Sequence, residues 1–146
     1  MKTVLLDYAK VKEFVSRASR EVEFKDTFLL EKTVSEWTIA HRLAVYLEKY
    51  FPEYNIDCEY NRMQGSQSSV YAITDHVPKQ LHGKKRRPDI IVHHRGHNSD
   101  NLLVIALKWR ARGDDHSDLK AMRDELDYKY LCQVVIENDG LKLEWL

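Results

Sequence analysis

Residues 87–108 constrain the fold of this chain more than any other segment. They contain two apolar runs, DIIVHH and LLVIALK, separated by a polar stretch of turn-forming residues. A hairpin centred between residues 97 and 98 would place position 89 opposite 106 and position 91 opposite 104. Because successive side chains of a strand alternate between its faces, Asp89, Ala106 and Lys108 would then share one side of a sheet. The sequence therefore predicts an acid and an amine side by side at one end of two paired strands.

The composition is typical of one soluble domain. The chain has 146 residues, of which 43% are hydrophobic and 32% charged, enough to form a core. Lys plus Arg equals Asp plus Glu at 23 each, so affinity for nucleic acid would depend on local clusters of cations. No apolar run approaches the roughly 20 residues of a membrane span, and the N-terminus is unlike a signal peptide. With two cysteines and no C-x-x-C pair, we expect a cytoplasmic protein in which both thiols pack as small core residues.

Periodicity predicts a single α/β domain over 1–146. Apolar stripes indicate helices over 7–23, 34–51 and 114–127, with Pro52 ending the second helix. Apolar or alternating runs indicate strands over 54–61, 130–137 and 141–146 besides the two of the hairpin. A tight turn is expected at Asn138-Asp139-Gly140. The order helix, helix, strand, strand, strand, helix, strand, strand favours a mixed sheet flanked by helices.

This order and the hairpin together resemble the PD-(D/E)XK nuclease superfamily. Pro88-Asp89 matches the PD element, and Ala106-Leu107-Lys108 lies where the (D/E)XK element belongs. The resemblance implies a restriction-endonuclease-like αβββαβ core, with residues 1–31 as an N-terminal helical addition. The helix over 34–51 would be the first core helix, in which many members carry a glutamate, and Glu36 holds that place here.

The resemblance implies a nuclease that hydrolyses phosphodiester bonds with Mg²⁺ or Mn²⁺, more often in DNA than in RNA. The implied metal ligands are Asp89, the backbone carbonyl of Leu107, Glu36 and a carboxylate at position 106, with Glu59 as a supplementary ligand. Lys108 would orient or activate the attacking water. Many such nucleases dimerise, and the helix over 7–23 is a candidate contact for a homodimer.

The chain departs from the family pattern at Ala106, where members carry Asp or Glu. Three explanations are open: a deliberate substitution that disarms a nuclease, a naturally inactive relative that binds nucleic acid or serves in assembly, or another carboxylate that has taken over. We favour an inactivated enzyme, because alanine removes a metal ligand while leaving the fold intact. The expected consequence is weak metal binding and greatly reduced turnover, with nucleic-acid binding retained.

The two glutamates of the implied site also have structural explanations. Thr33-Val34-Ser35-Glu36 fits a capping box, in which Glu36 would bond the N–H of Thr33 instead of entering a site. Against this, Glu36 shares a helical face with Ala40 and Leu43, which points it toward the sheet. Glu59 lies in an alternating strand, where an exposed position is the simpler interpretation.

Basic residues on both sides of the hairpin are candidates for nucleic-acid contact. A run immediately before Pro88 would either track a phosphate backbone or form a solvated loop: Lys84, Lys85, Arg86 and Arg87. Arg110 and Arg112 follow the second strand and could line a groove beside Trp109. The three histidines of the hairpin do not predict a zinc site, because His93 and His94 face opposite sides of a strand and no cysteine is near.

Overall fold

The computed structural model describes residues 6–58 and 88–146, which form a five-stranded mixed sheet with helices on both faces. The helices are α1 (Tyr8–Lys25), α2 (Thr27–Glu31), α3 (Glu36–Leu47) and α4 (His116–Leu126). The strands are β1 (Asn55–Cys58), β2 (Ile90–His93), β3 (Leu103–Trp109), β4 (Tyr130–Glu137) and β5 (Gly140–Trp145). Short 3₁₀ turns, Glu48–Tyr50 and Arg110–Arg112, follow α3 and β3.

The strands lie side by side in chain order, from β1 at one edge to β5 at the other. Strands β1, β3 and β4 run in one direction, and β2 and β5 run in the other. Ile91 pairs with Val104, and the flanking pairs are 90 with 105 and 92 with 103. The register of the hairpin predicted from the sequence is therefore confirmed. Because β3 and β4 are parallel, a crossover connection over one face of the sheet must join them. Helix α4 lies in that connection.

The alternation of side chains on β3 divides the core into two clusters. Ile105 and Leu107 pack with α1 and α3 on one face of the sheet. Val104 and Ala106 pack on the other face with the apolar stripe of α4, which includes Leu119. Each face of β3 is thus buried, which explains why its sequence is a continuous apolar run instead of an alternating one.

Helix α1 is part of the core of this chain. The side chain of Asp7 caps its first turn by accepting a hydrogen bond from the N–H of Lys10 at 2.8 Å. Its apolar stripe is buried against the sheet and α3: Val11, Val15, Ala18 and Val22. Burying each valine contributes about 1.5–3 kcal/mol. A contact with a second copy would therefore have to use the exposed side of this helix.

The sequence-based boundaries hold for most elements and differ in two places. Strand β4 and the turn after it are as predicted, with Glu137 paired to Gly140. Helix α2 was missed because its five residues are too few to show a helical period. The predicted helix over 34–51 begins at Glu36 and its last turn is 3₁₀. None of the helices in the described ranges is long and apolar enough to cross a membrane.

An ion cluster ties β1 to the end of β2. The Asp57 carboxylate accepts hydrogen bonds from Nε2 of the fully buried His93 at 2.8 Å and from Nε of Arg95 at 2.9 Å. Burial alone would raise the pKa of Asp57, but the hydrogen bonds from His93 and Arg95 outweigh it and hold the pKa well below its ordinary value. Asp57 therefore stabilises the fold most when it is ionised.

We expect Asp57→Asn to lower the free energy of unfolding by about 1–3 kcal/mol at pH 7, because the buried His93 and the exposed Arg95 lose a charged acceptor. The folded-state pKa is depressed, so the stabilisation is complete above the unfolded pKa of about 4 and declines as the pH falls below it. Urea unfolding of both proteins should show a smaller difference at pH 3 than at pH 7. Asp139→Asn in the exposed β4–β5 turn is the control. An equal difference at both pH values would contradict this assignment.

Candidate active site at the ends of β2 and β3

A cleft of about 730 Å³ opens where β2 begins and β3 ends, between the first turns of α3 and α4. Its walls include apolar side chains of the α4 cluster and the rings of Trp37 and Trp109. Its charged lining combines acids and bases from four elements or their flanks: Glu36, Asp89, Lys108, Arg112, Asp115 and Asp118. The cleft therefore contains every implied catalytic or metal-ligating residue that falls within the described ranges.

Asp89 stands at the entrance to β2 and faces the β3 backbone. One oxygen of its carboxyl group accepts a hydrogen bond from the N–H of Leu107 at 2.7 Å. The β2–β3 register, continued by one residue, sets Asp89 opposite Ala106. Ala106 is itself 5% exposed and packs toward α4, so its methyl group forms part of the cleft floor. The predicted placement of the acid opposite position 106 follows from this register, although Asp89 precedes the first residue of β2.

Lys108 lies two residues beyond Ala106 on the same face of β3. Its Nζ is 2.8 Å from an oxygen of Asp115, and its side chain is 23% exposed. The prediction that Asp89 and Lys108 share one side of the sheet is confirmed, because the register sets Asp89 opposite Ala106 and Lys108 follows Ala106 on the same face of β3. Asp115 immediately precedes α4 and is not among the site residues predicted from the sequence. Its closeness to Lys108 depends on how α4 crosses the sheet, which local sequence does not specify.

Glu36 enters the cleft and does not form the capping box. Ser35 caps α3 instead, with its side chain accepting from the N–H of Thr38, and Thr33 has a left-handed φ of 51°. One oxygen of Glu36 accepts from the N–H of Trp109 at 3.0 Å and the other from Arg112 at 3.2 Å. The capping interpretation is therefore wrong, and Glu36 instead fastens the first turn of α3 to the end of β3.

Burial and neighbouring charges set the ionisation of Asp89. Burial raises its pKa most, and the Leu107 N–H opposes this by stabilising the ionised form. The carboxylates of Asp115 and Glu36 raise the pKa further, while the ammonium of Lys108 lowers it. The result is a pKa of about 7 for Asp89. This carboxyl group therefore titrates near neutral pH, and a pKa shifted in this way is typical of groups at functional sites.

The other candidate residues either follow the apolar run of β3 and have structural partners, or lie outside the described residues. Arg110 forms an ion pair with Glu137, and Arg112 pairs with Glu36, so both exposed guanidinium groups have acidic neighbours. The indole N–H of Trp109 donates to the carbonyl of Val34 at 2.8 Å, which indicates a packing role. Glu59 and the basic run at 84–87 lie outside the described residues.

The described residues do not form the carboxylate set that the resemblance implies for a metal ion. Across 6–58 and 88–146, no group of three or more His, Cys, Asp or Glu side chains is close enough to hold one. The chemical reasons are local: Ala106 offers no side-chain oxygen, and both oxygens of Glu36 already accept hydrogen bonds. A complete site would need a further carboxylate beside Asp89.

No family model, no curated protein and no solved structure was found to match this chain. Its function is therefore inferred from its own residues and their geometry.

We expect Asp89→Asn to stabilise the protein at pH 8. The raised folded-state pKa means that the folded protein holds a proton that the unfolded chain releases between about pH 4 and pH 7, so stability falls as the pH rises through that window. An asparagine keeps an acceptor for Leu107 and avoids this penalty. We expect a gain of about 2 kcal/mol in unfolding free energy at pH 8 and almost none at pH 4, measured by urea denaturation. A variant that is less stable than the parent at pH 8 would contradict the raised pKa.

Proposed function

We propose that this chain carries the scaffold of a metal-dependent nuclease of the PD-(D/E)XK type, with the motif acid replaced by Ala106. The observation that carries the proposal is the placement of Asp89 and Lys108 on one face of two paired strands, flanking Ala106 in a cleft. An acid at position 106 would complete the motif on that same face. Three motif positions therefore converge although they come from two strands.

The order and layering of the elements support the same assignment. Among the described residues, helix α3, strands β1 to β3, helix α4 and strand β4 occur in the αβββαβ order of the family. Helix α3 packs on one face of the sheet and α4 on the other. A restriction-endonuclease-like core is the most specific proposal consistent with this arrangement. In this proposal α1, α2 and β5 are additions to the αβββαβ elements of the family, although α1 contributes side chains to the hydrophobic core.

The residues of the cleft suit the hydrolysis of a phosphodiester. The reaction develops negative charge on the phosphoryl oxygens and on the leaving oxygen, and the ammonium of Lys108 would offset that charge. In enzymes of this type a bound Mg²⁺ or Mn²⁺ supplies further neutralisation and lowers the pKa of a water molecule. Because Ala106 contributes no ligand, we propose that this chain binds the metal weakly and is impaired in catalysis.

Nucleic acid, and DNA before RNA, is the proposed substrate class. The preference for DNA rests on the family resemblance. The sequence also places four consecutive basic residues directly before Pro88, which lines the cleft. Contacts of lysine and arginine with phosphates would make binding fall steeply as the salt concentration rises.

The alternative is an inactive member of the fold that binds nucleic acid or serves as an assembly module. The observation in its favour is that two of the four acids of the cleft are already engaged with bases: Glu36 with Arg112 and Asp115 with Lys108. In such a protein the charges would stabilise the fold and the binding surface instead of holding a metal. Restoring the acid at position 106 separates the two proposals.

We expect Ala106→Glu to cleave plasmid or oligonucleotide DNA in the presence of Mg²⁺, at a rate about 100-fold or more above the parent chain. EDTA should abolish the activity. Ala106→Gln has nearly the same volume without the charge and is the matched control for packing at this buried position. Adding Lys108→Met to the active variant should remove the activity again.

A folded Ala106→Glu variant that cleaves neither DNA nor RNA would contradict the nuclease proposal. If that variant and the parent both bind DNA in fluorescence anisotropy, with affinity that declines as salt rises, the inactive binding module is supported. Circular dichroism and thermal unfolding would establish that each variant is folded.

A further inference from the structure

A buried polar side chain lies directly beside the candidate site. Gln133 occupies the middle of β4, between apolar residues, and is completely shielded from solvent. Burying an amide without partners costs several kcal/mol, so its retention in an apolar strand requires compensation. Its Nε2 donates to the carbonyl of Ala106 at 3.2 Å, and its Oε1 accepts from the N–H of Asp115 at 2.6 Å. The amide therefore joins β3 to the residue that immediately precedes α4.

The consequence of this bridge is a fixed position for the carboxylate of Asp115. With its backbone held by Gln133, Asp115 places an oxygen 2.8 Å from Nζ of Lys108. Both side chains are largely covered, with 18% of Asp115 and 23% of Lys108 exposed. A lysine has a long flexible stem, so its ammonium occupies one position only where a partner holds it. The contacts form a closed ring from β3 through β4 and α4 back to β3.

We propose that Asp115 is the positioning residue for Lys108 and that Gln133 holds Asp115 in place. The catalytic meaning of this role rests on the proposed function, since Lys108 would act on the phosphate or the attacking water. The ring keeps the ammonium on the side of the cleft that holds Ala106 and Asp89. Lys108 would thus be oriented before substrate arrives, and less conformational entropy would be lost on binding.

Among the described residues, the second cation that lines the cleft is held separately, which makes the assignment specific. Arg112 pairs with Glu36 on α3, whereas Lys108 pairs with Asp115 at the start of α4. Each base therefore has its own acid on a different helix. Removal of Asp115 should release Lys108 while leaving the Arg112 pair intact.

The first test uses the chain as it exists, with Ala106 in place. Lysine labelled with ¹⁵N allows the Nζ ammonium of Lys108 to be observed by NMR, and a held ammonium gives a sharp signal protected from exchange with water. We expect Asp115→Asn to abolish this signal. Asp114→Asn makes the same change one residue earlier, where the carboxylate bonds the N–H of His116, and should leave the signal unchanged. Survival of the Lys108 signal in Asp115→Asn would overturn the proposal.

Gln133 is tested by two variants in the same experiment. Gln133→Met fills a similar volume without either hydrogen bond and should weaken the Lys108 signal although Asp115 is still present. Gln133→Glu keeps an acceptor for the N–H of Asp115 and should retain the signal. If Gln133→Met is folded by thermal unfolding and its Lys108 signal equals that of the parent, Gln133 has no positioning role.

A measurement of activity distinguishes failure of the positioning role from failure of the proposed function. In the Ala106→Glu background, Asp115→Asn should lower kcat about tenfold or more and leave KM almost unchanged, because a misplaced group affects the chemical step more than binding. If that background proves inactive while Asp115→Asn still abolishes the Lys108 signal, the nuclease proposal fails and the positioning role stands. If the background is active and kcat does not depend on Asp115, the positioning role fails and the nuclease proposal stands.

Discussion

The pairing of β2 with β3 is the constraint on which the candidate site depends. Its register sets Asp89 opposite Ala106 and keeps Lys108 on the same face. A slip of one residue would turn each of these side chains to the opposite face of the sheet. Such a slip would also move the buried apolar side chains of β2 and β3 from one core cluster to the other and disrupt their packing. The packing that stabilises the fold therefore also specifies where the acid and the amine meet.

The parts of this structure that follow from the sequence are those fixed by short-range patterns. The register of the hairpin, the span of β4 and the turn after it all come from apolar runs and turn residues. The contacts that complete the site are long-range: Asp115 reaches Lys108 because α4 crosses the sheet, and Gln133 matters because its neighbours in space are Ala106 and Asp115. A signal for Gln133 was present, since a lone amide within an apolar strand needs partners.

Glu36 shows how a correct local motif can predict a wrong contact. The capping box was a reasonable interpretation of its sequence, but Thr33 adopts a left-handed conformation and Ser35 becomes the cap. Glu36 is then released to bond the backbone of Trp109 and the side chain of Arg112. The contacts of Glu36 depend on where β3 lies in the fold. The four-residue motif carries no information about that position.

We propose that one missing carboxylate, at position 106, separates this cleft from a metal site. The most direct measurement is a titration of the Ala106→Glu variant with Mn²⁺, followed by paramagnetic broadening of its NMR signals. We predict that broadening concentrates on residues 89, 106–108 and 115 at metal concentrations that leave the parent chain unaffected. Equal and diffuse broadening in both proteins, or broadening centred elsewhere, would contradict the claim.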